Sequence, residues 1–341
     1  MTRTRIDSLG LFTLVCAVAT NIARVAAAAV ATTFLAQIAL AETFPSKPLK
    51  IVVPYAAGGP VDQLARTLAE GLSRSLGQAV IVENKPGGNT MVAASQVAKA
   101  QPDGYTLFMA SSASLAVNPV VYKKMAYDPD RDFTPVSMVA RAPLVMVVNA
   151  GVPAKNLKEL TAYIKSMNGR FAFASNGNGN PLHLACALFS SMANLDMLHV
   201  PYNGTAPALA SVLAGDTQMT CDIVQNSIPQ IKSHKLRAIA IIGPRRVAVL
   251  PDVPTLGEEG LLGVDASVWF AVVVPKNTPL PRVDLLNQHI AKVLATTELR
   301  ERFGALAMEV QSSSGKDVTN LITKERSKWM DVVTKYKISI D

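Results

Sequence analysis

The stretch PYAAGGPVDQ (residues 54–63) has the residue types of an anion-binding turn. Gly58 and Gly59 separate an apolar, strand-like run from an apolar stripe with helical spacing. The first N–H groups of a helix lack internal partners and carry partial positive charge, so a glycine turn at a helix start binds anions readily. Pro60 suits a first helical turn because its missing N–H is no loss there. The other reading is a tight turn in which Asp62 braces the helix start without any ligand.

Similar polar segments follow several other apolar runs, and none of them contains Lys or Arg. They supply hydroxyls, amides and backbone N–H groups rather than cations, so we expect them to hold a ligand without ion pairs. The candidate ligand-binding residues are Tyr55, Ala57, Gly58, Gly59, Asp62, Ser111, Ser112, Ser114, Ser175, Asn178, Asn180, His183, Tyr202, Gly204, Thr205 and Asp222.

Three of these side chains are also candidates for acid–base chemistry, which leaves an exported α/β enzyme as a second reading. Asp62 has no carboxylate or histidine partner in its own motif. His183, together with His199, suits a metal ligand or a general base, or the bracing of a loop. Asp222 suits a partner for a ligand's amine or hydroxyl, or a helix cap. We favour the non-catalytic roles, and expect no catalytic residue and no metal ligand among them.

The usual motifs of cofactor enzymes are missing from the sequence. Gly177 and Gly179 are followed by Leu182 where a dinucleotide fingerprint needs its third glycine. The chain has no complete P-loop and no G-x-S-x-G nucleophile elbow. We therefore expect no cofactor.

Strand-like and helical patterns alternate along the chain, which predicts an α/β fold with mostly parallel sheets. In such sheets ligands bind beyond the C-terminal ends of the strands, where the polar segments above would lie. The predicted strands are 49–54, 79–83, 105–110, 144–148, 171–174, 219–224, 236–242 and 268–274. The predicted helices are 61–76, 90–100, 156–166, 182–193, 206–214, 282–295 and 316–335.

Residues 1–41 have the pattern of a signal peptide, with early arginines, apolar stretches and a final Ala-Leu-Ala. A retained membrane anchor is the alternative, but residues 25–41 fall short of the roughly 20 apolar residues that a span needs.

Removing residues 1–41 lowers the net charge from +8 to +6. The remaining Lys and Arg residues are scattered and no nucleic-acid motif is present, so we expect an acidic small molecule and no nucleic acid.

Cys186 and Cys221 are the cysteines that remain after residue 41. An oxidising compartment permits a disulfide between them, and two buried thiols are equally compatible with the sequence.

Seven segments in order span most of the chain after residue 43 and together resemble one family. They are FPSKPLKIVVPYAAGGPVDQLAR, VIVENKPGGN, PDGYTLFMAS, NPVVYKKMAYDPDRDFTPVSMVA, FAFASNGNGNPLHLA, HVPYNGTAPAL and RAIAIIGPRRVAVLPDVPTLGEEG. With these segments the chain resembles the Bug-type (TctC-like) extracytoplasmic solute receptors, the substrate-binding subunits of tripartite tricarboxylate transporters.

The resemblance implies a two-lobed periplasmic-binding-protein fold, a type II Venus flytrap with two chain crossovers. Lobe 1 would comprise residues 42–147 plus 269–341, and lobe 2 residues 148–268. It also implies a monomeric periplasmic protein that captures a small organic carboxylate, aliphatic or aromatic, and delivers it to membrane permease subunits. A receptor of this fold that serves a sensor kinase is a further reading.

Two positions depart from the pattern of that family. Its members commonly have Ser where Asn180 stands and a basic residue where Asn203 stands. The missing cation weakens the case for a highly charged ligand such as citrate, and a mono- or dicarboxylate, aliphatic or aromatic, fits the sequence at least as well.

Overall fold

The computed structural model describes residues 44–262 and 266–335, so the signal peptide predicted for residues 1–41 lies outside the described part of the chain. The strands are β1 (Leu49–Val53), β2 (Val80–Asn84), β3 (Thr106–Ser111), β4 (Phe133–Ala142), β5 (Leu144–Asn149), β6 (Ala172–Ser175), β7 (Leu198–Pro201), β8 (Met219–Ile223), β9 (Leu236–Ile242), β10 (Val268–Pro275) and β11 (Glu309–Val310).

The longer helices cover the predicted helical patterns, and several shorter ones lie between them. The helices are α1 (Pro60–Leu76), α2 (Met91–Ala98), α3 (Asn118–Val121), α4 (Pro129–Asp132), α5 (Leu157–Ser166), α6 (Pro181–Met192), α7 (Thr205–Ala214), α8 (Val224–Lys232), α9 (Leu280–Leu294), α10 (Thr297–Gly304) and α11 (Gly315–Lys335). A π-helical turn, Ala113–Val117, precedes α3. In the described residues, no helix is both long enough and apolar enough to span a membrane.

The first sheet has six strands in the order β11-β4-β10-β3-β1-β2. β1 pairs in parallel with β2 and β3, so the C-terminal ends of these three strands share one edge. β10 lies between β3 and β4 and runs antiparallel to both. Phe108, Phe133 and Trp269 are central members of the apolar core on this sheet.

The second sheet has five strands in the order β7-β6-β8-β5-β9. β6 pairs in parallel with β7 and β8, so the loops that follow these strands also share one edge. β5 runs antiparallel to β8 and β9. A second apolar core, which includes Val145, Val212 and Ile241, packs on this sheet.

The chain passes between the two sheets twice, from β4 to β5 through Pro143 and back from β9 to β10. Residues 144–147, which the sequence analysis assigned to lobe 1, pair in the second sheet. The lobe boundaries themselves stay a prediction. Below, the first and second lobes are the parts built on the first and second sheets.

The expectation of mostly parallel sheets was wrong, because each sheet is mixed. The strands that carry the chain across, β5 and β10, enter their sheets antiparallel to both neighbours. The parallel strands remain grouped together, and their C-terminal ends still define one polar edge on each sheet.

Cys186 and Cys221 form a disulfide between α6 and β8, with Cα atoms 5.7 Å apart. Both residues are fully buried. The structure thus selects the bonded state from the two that the sequence left open.

Candidate functional site

The loop between β1 and α1 is held by the carboxylate of Asp62. Asp62 accepts hydrogen bonds from the Gly58 N–H at 2.8 Å, from Arg66 Nε at 2.9 Å and from Asn84 Nδ2 at 2.9 Å. Burial raises the pKa of Asp62, but the hydrogen bonds from Arg66, Gly58 and Asn84 lower it by more, so the pKa of this carboxyl lies below its usual range. Asp62 therefore braces the loop as a carboxylate.

The start of α1 has no side-chain cap. Gly59 is the N-cap residue and Pro60 the first helical residue, and no side chain accepts a hydrogen bond from the first turn. Ala57 and Gly58 are exposed. Gly58 has a φ of 82°, and a Cβ added there would meet no heavy atom within 4 Å. The loop tip can therefore approach a ligand closely, next to the positive end of the helix dipole.

The end of β3 lies beside this loop. Tyr55 Oη donates to Ser111 Oγ at 3.0 Å, and burial raises the pKa of Tyr55 to about 12, so its hydroxyl stays protonated. Ser114 is turned inward, because its Oγ accepts from Ser111 N–H and donates to the Ser111 carbonyl. Ser112 Oγ is buried without a hydrogen-bond partner. A ligand or water that supplied a partner to such a group would stabilise the folded state.

On the second sheet, Ser175 organises the loop that follows β6. Its Oγ donates to the Gly177 carbonyl at 3.0 Å, accepts from Gly177 N–H at 3.3 Å and lies 2.7 Å from His199 Nε2. Asn178, at the tip of this loop, is exposed.

The start of α6 is already capped by this loop. Asn180 Oδ1 accepts from Leu182 N–H and His183 N–H, while its Nδ2 donates to the Gly177 carbonyl at 2.6 Å. His183 Nδ1 accepts from Gly179 N–H at 3.1 Å, so a neutral ring carries its proton on Nε2. Asn180 and His183 therefore stabilise this loop through hydrogen bonds to its backbone.

His183 and His199 form a stack with Phe173. The ring centroids are 3.8 Å apart for His183 and His199, and 4.9 Å apart for Phe173 and His199. Burial, and to a smaller extent His199, lowers the pKa of His183 to about 3. Burial lowers the pKa of His199 to about 4. Both rings are therefore neutral at pH 7 and brace the loops after β6 and β7.

The loop after β7 begins α7 with a second glycine-led helix start. Gly204 has a φ of 110°, provides no side-chain cap, and has no heavy atom within 4 Å of an added Cβ. Asn176 Nδ2 lies 3.5 Å from Thr205 Oγ1, which brings the loops after β6 and β7 together. Tyr202 Oη donates to Ser211 Oγ at 2.6 Å and so anchors this loop to α7.

Asp222 is the next-to-last residue of β8, and its side chain is buried. Its carboxyl accepts from Ile223 N–H, Asn226 Nδ2 and Ser227 Oγ. Burial raises the pKa of Asp222 to about 6 despite these three hydrogen bonds. Of its two suggested roles, the contacts favour bracing the start of α8.

A hydrogen bond joins the first lobe to the loop after β6 in the second lobe. Tyr122, which directly follows α3 in the first lobe, donates from its Oη to the carbonyl oxygen of Asn178 at 2.9 Å. The predicted residues thus form two groups, one on each lobe. The first comprises Tyr55, Ala57, Gly58, Gly59, Asp62 and the three serines after β3, and the second comprises the predicted residues from Ser175 to Asp222.

Sequence reasoning missed several residues that hold these loops. Asn84 ends β2, and the same strand-end rule that selected the other candidates would have found it; besides bonding Asp62, its Nδ2 donates to the Tyr55 carbonyl. His199 was considered only beside His183 and was not selected as a site residue. Tyr122 gave no signal, because it does not lie in a polar loop directly after a predicted strand. Within residues 44–262 and 266–335, no group of three or more His, Cys, Asp or Glu side chains is arranged to hold a metal.

Comparison with known proteins identifies the family. The sequence profile described as "Tripartite tricarboxylate transporter family receptor" matches residues 64–338. Protein BugT of Bordetella pertussis is 35% identical over 305 residues, which cover 89% of this chain and 94% of BugT.

Solved structures agree with the sequence matches. The periplasmic binding protein BugD superposes with a TM-score of 0.80 at 33% identity, covering 87% of this chain and 99% of BugD. Rpa4515 of R. palustris, solved with adipate, gives 0.82 at 31% identity, with 87% and 99% covered. MatC from Rhodopseudomonas palustris, solved with bound malate, gives 0.78 at 33% identity, with 85% and 100% covered.

The match to BugD confirms the predicted α/β, two-lobed, type II binding-protein fold, and the two passages between the sheets are its crossovers. The family and the fold are those of periplasmic solute-binding receptors. This chain belongs to the tripartite tricarboxylate transporter receptor family, in its Bug-type branch.

Proposed function

We propose that this protein is an exported receptor that binds a small organic carboxylate between its two lobes and delivers it to the permease subunits of a tripartite transporter. The observation that carries the proposal is the uncapped, glycine-led start of α1, which Asp62 holds at the polar edge of the first sheet. The relatives solved with adipate and malate support the carboxylate class.

The charge pattern of the site favours a dicarboxylate. Gly59 and Gly204 each begin a helix without a side-chain cap, one helix in each lobe, and the start of α6 is already occupied by Asn180. Two uncapped helix starts can each hold one carboxylate. The loops after β1, β3, β6 and β7, which carry most of the predicted residues, contain no Lys or Arg to neutralise a third.

Closure of the lobes would follow from contacts that the ligand makes with both of them. A ligand shifts the equilibrium only as far as it binds the closed state more tightly than the open one. A dicarboxylate that bridges α1 and α7 meets this condition, because opening would cost it one of its two anchors.

We also infer that the receptor does not transform its ligand. Asp62 and Asp222 each accept three hydrogen bonds from the protein, and His183 Nδ1 accepts one from Gly179, so the candidate acids and bases are engaged in holding loops. Recovery of the bound carboxylate unchanged after long incubation is the expected result. A new product that requires the intact protein would favour the enzyme reading.

The direct test uses purified residues 42–341 and a panel of aliphatic and aromatic mono-, di- and tricarboxylates. A ligand that binds only the folded state must raise the melting temperature, because it stabilises that state by RT ln(1 + [L]/Kd). We expect the largest rise with C4 to C6 dicarboxylates. Folded, ligand-free protein that shows no rise with any carboxylate would refute the proposal.

A further inference from the structure

We propose that Tyr122 is a positioning residue that holds the two lobes together when they close, through the hydrogen bond from its Oη to the Asn178 carbonyl. This inference rests on the proposed function, because it concerns how the lobes close around a ligand. It assigns a role to a residue outside every polar loop that the sequence singled out.

Tyr122 is attached to a well-supported part of the first lobe. Its N–H donates to the Asn118 carbonyl at 3.0 Å. Asn118 is fully buried, and its Nδ2 donates to the Asn89 carbonyl at 2.8 Å and to Tyr127 Oη at 3.2 Å. Asn89 Nδ2 returns a hydrogen bond to Asn118 Oδ1. This network fixes the backbone from which the Tyr122 side chain extends.

The acceptor belongs to an equally constrained loop of the second lobe. Gly177 and Gly179, on either side of Asn178, have φ values of 128° and 70° that favour glycine. Asn180 holds the Gly177 carbonyl, and His183 holds the Gly179 N–H. The Asn178 carbonyl is therefore presented by a fixed backbone, so the bond to Tyr122 joins two rigid bodies rather than two mobile side chains.

Contacts beside the crossovers provide a comparison. Arg245 Nη2 lies 2.8 Å from Glu309 Oε1 and also joins the lobes, but Glu309 pairs with Arg141 at the end of β4, next to the passage into β5. Both of these charged side chains are mostly exposed. Tyr122 lies on no strand, and Asn178 follows β6, which pairs with β7 and β8 and with no crossover strand. We therefore expect a hinge motion at the crossovers to break the Tyr122 bond and to leave this ion pair nearly in place.

The expected effect of removing the bond is the same for every ligand. Tyr122→Phe keeps the ring and removes the hydroxyl, which lowers the ratio of closed to open protein by about fivefold for one partly exposed hydrogen bond. In a receptor that is mostly open without ligand, a ligand that binds the closed form then loses about the same factor in apparent affinity, whatever its own contacts are. A residue that contacts the ligand would instead affect different ligands by different factors.

The experiment measures Kd for adipate and malate by calorimetry in wild type, Tyr122→Phe and Arg245→Ala. Spin labels on Glu70→Cys and Lys165→Cys, two exposed helix positions in different lobes, report the distance between the lobes, while the native disulfide keeps Cys186 and Cys221 unlabelled. We expect Tyr122→Phe to weaken both ligands about equally, by about fivefold, and to shift the distances toward the open form. Arg245→Ala should stay within about twofold of wild type, as exposed ion pairs do.

Unchanged Kd values and distances in Tyr122→Phe would overturn the proposal, as would a loss confined to one ligand. Equal losses in Tyr122→Phe and Arg245→Ala would overturn it too, since they would remove the distinction between the two contacts. If wild type binds no carboxylate at all, the proposed function fails. The ligand-free distances then test Tyr122 alone: a longer distance between the lobes in Tyr122→Phe than in wild type supports its role, and equal distances refute it.

Discussion

At the scale of single residues, most polar side chains near the candidate site direct their hydrogen bonds toward nearby backbone. Asp62 holds the Gly58 N–H, Asn180 caps α6, and Ser175 holds both polar groups of Gly177. The side chains brace the loops, and Gly58 leaves main chain exposed at the tip of its loop. A site of this kind recognises a ligand by backbone N–H groups whose positions are fixed before binding.

Gly58 provides a residue-scale test of this arrangement. Gly58→Val should lower carboxylate affinity by tenfold or more, because the new side chain occupies the open space beside the start of α1 and strains a φ of 82°. Calorimetry with the best ligand of the panel measures the loss.

Gly77→Val is the matched control. Gly77 has a φ of 69°, also has no heavy atom within 4 Å of an added Cβ, and ends the same helix. It should lose similar stability and keep wild-type affinity. Equal affinities in Gly58→Val and Gly77→Val would contradict an anion site at the start of α1.

Asp222 provides a second test, through the pH dependence of stability. The pKa of Asp222 is raised from 3.8 to about 6 in the folded protein, so the folded state retains a proton that the unfolded chain has already released. This carboxyl therefore contributes full stability below pH 4, and the contribution is lost as pH rises through 6. Asp222→Asn keeps the acceptor for Ile223 N–H and cannot ionise.

The free energy of unfolding, measured by urea titration from pH 4 to pH 7, should therefore rise in Asp222→Asn relative to wild type, by about 2–3 kcal/mol over this range. Asp216→Asn, at an exposed position in the same lobe, should follow the wild-type curve. Parallel curves for wild type and Asp222→Asn would contradict a raised pKa of Asp222 in the folded state.

The sequence could predict which residues lie at the strand ends, but it could not separate bracing residues from ligand contacts. Ser114 and Asn180 were selected by the same rule as Gly58 and Gly59, yet their side chains are used within their own loops. Both roles need short polar side chains at the same positions, so the difference appears only with the direction of each hydrogen bond.

At the scale of elements, apolar periodicity predicted eight strands and seven helices that the structure contains. It missed strands whose formation depends on their tertiary contacts. β4 was missed because Pro135 and several polar residues interrupt its apolar run. In the structure Pro135 lies opposite Val273, where the pairing with β10 shifts register, so its missing N–H is tolerated there. β7 was missed because it is short and half-exposed, and its pairing with β6 stabilises it.

The disulfide gives a prediction at this scale, because it fixes α6 to β8 within the second lobe. The two cysteines are 35 residues apart, and a cross-link over that length removes unfolded-chain entropy worth about 3–4 kcal/mol. Reduction with dithiothreitol should lower the free energy of unfolding of wild type by about that amount. Chemical denaturation of oxidised and reduced protein measures it.

The double variant Cys186→Ala, Cys221→Ala is the control for reductant. Dithiothreitol should leave its stability unchanged, because no bond remains to be reduced. Identical curves for oxidised and reduced wild type would contradict a stabilising disulfide.

At the scale of the whole molecule, receptor function depends on export, which we predict from residues 1–41. Full-length chain expressed in a Gram-negative host should appear in the osmotic-shock fraction with Glu42 as its first residue, and mass spectrometry of the N-terminal peptide measures this. Residues 42–341 expressed behind a single Met should remain in the cytoplasm. Full-length mass in the membrane fraction would instead support the retained anchor.

The position of β10 has a consequence for how the protein folds as it emerges from a membrane channel. β10 lies between β3 and β4, yet 124 residues of chain separate its first residue, Val268, from Pro143. During N-to-C translocation the second sheet, which spans residues 144–242, can complete itself first. Until β10 arrives, the first sheet stays divided, with the buried edges of β3 and β4 unpaired. Chaperones and proteases outside the cytoplasm therefore encounter a chain whose second sheet is complete and whose first sheet still lacks its central strand.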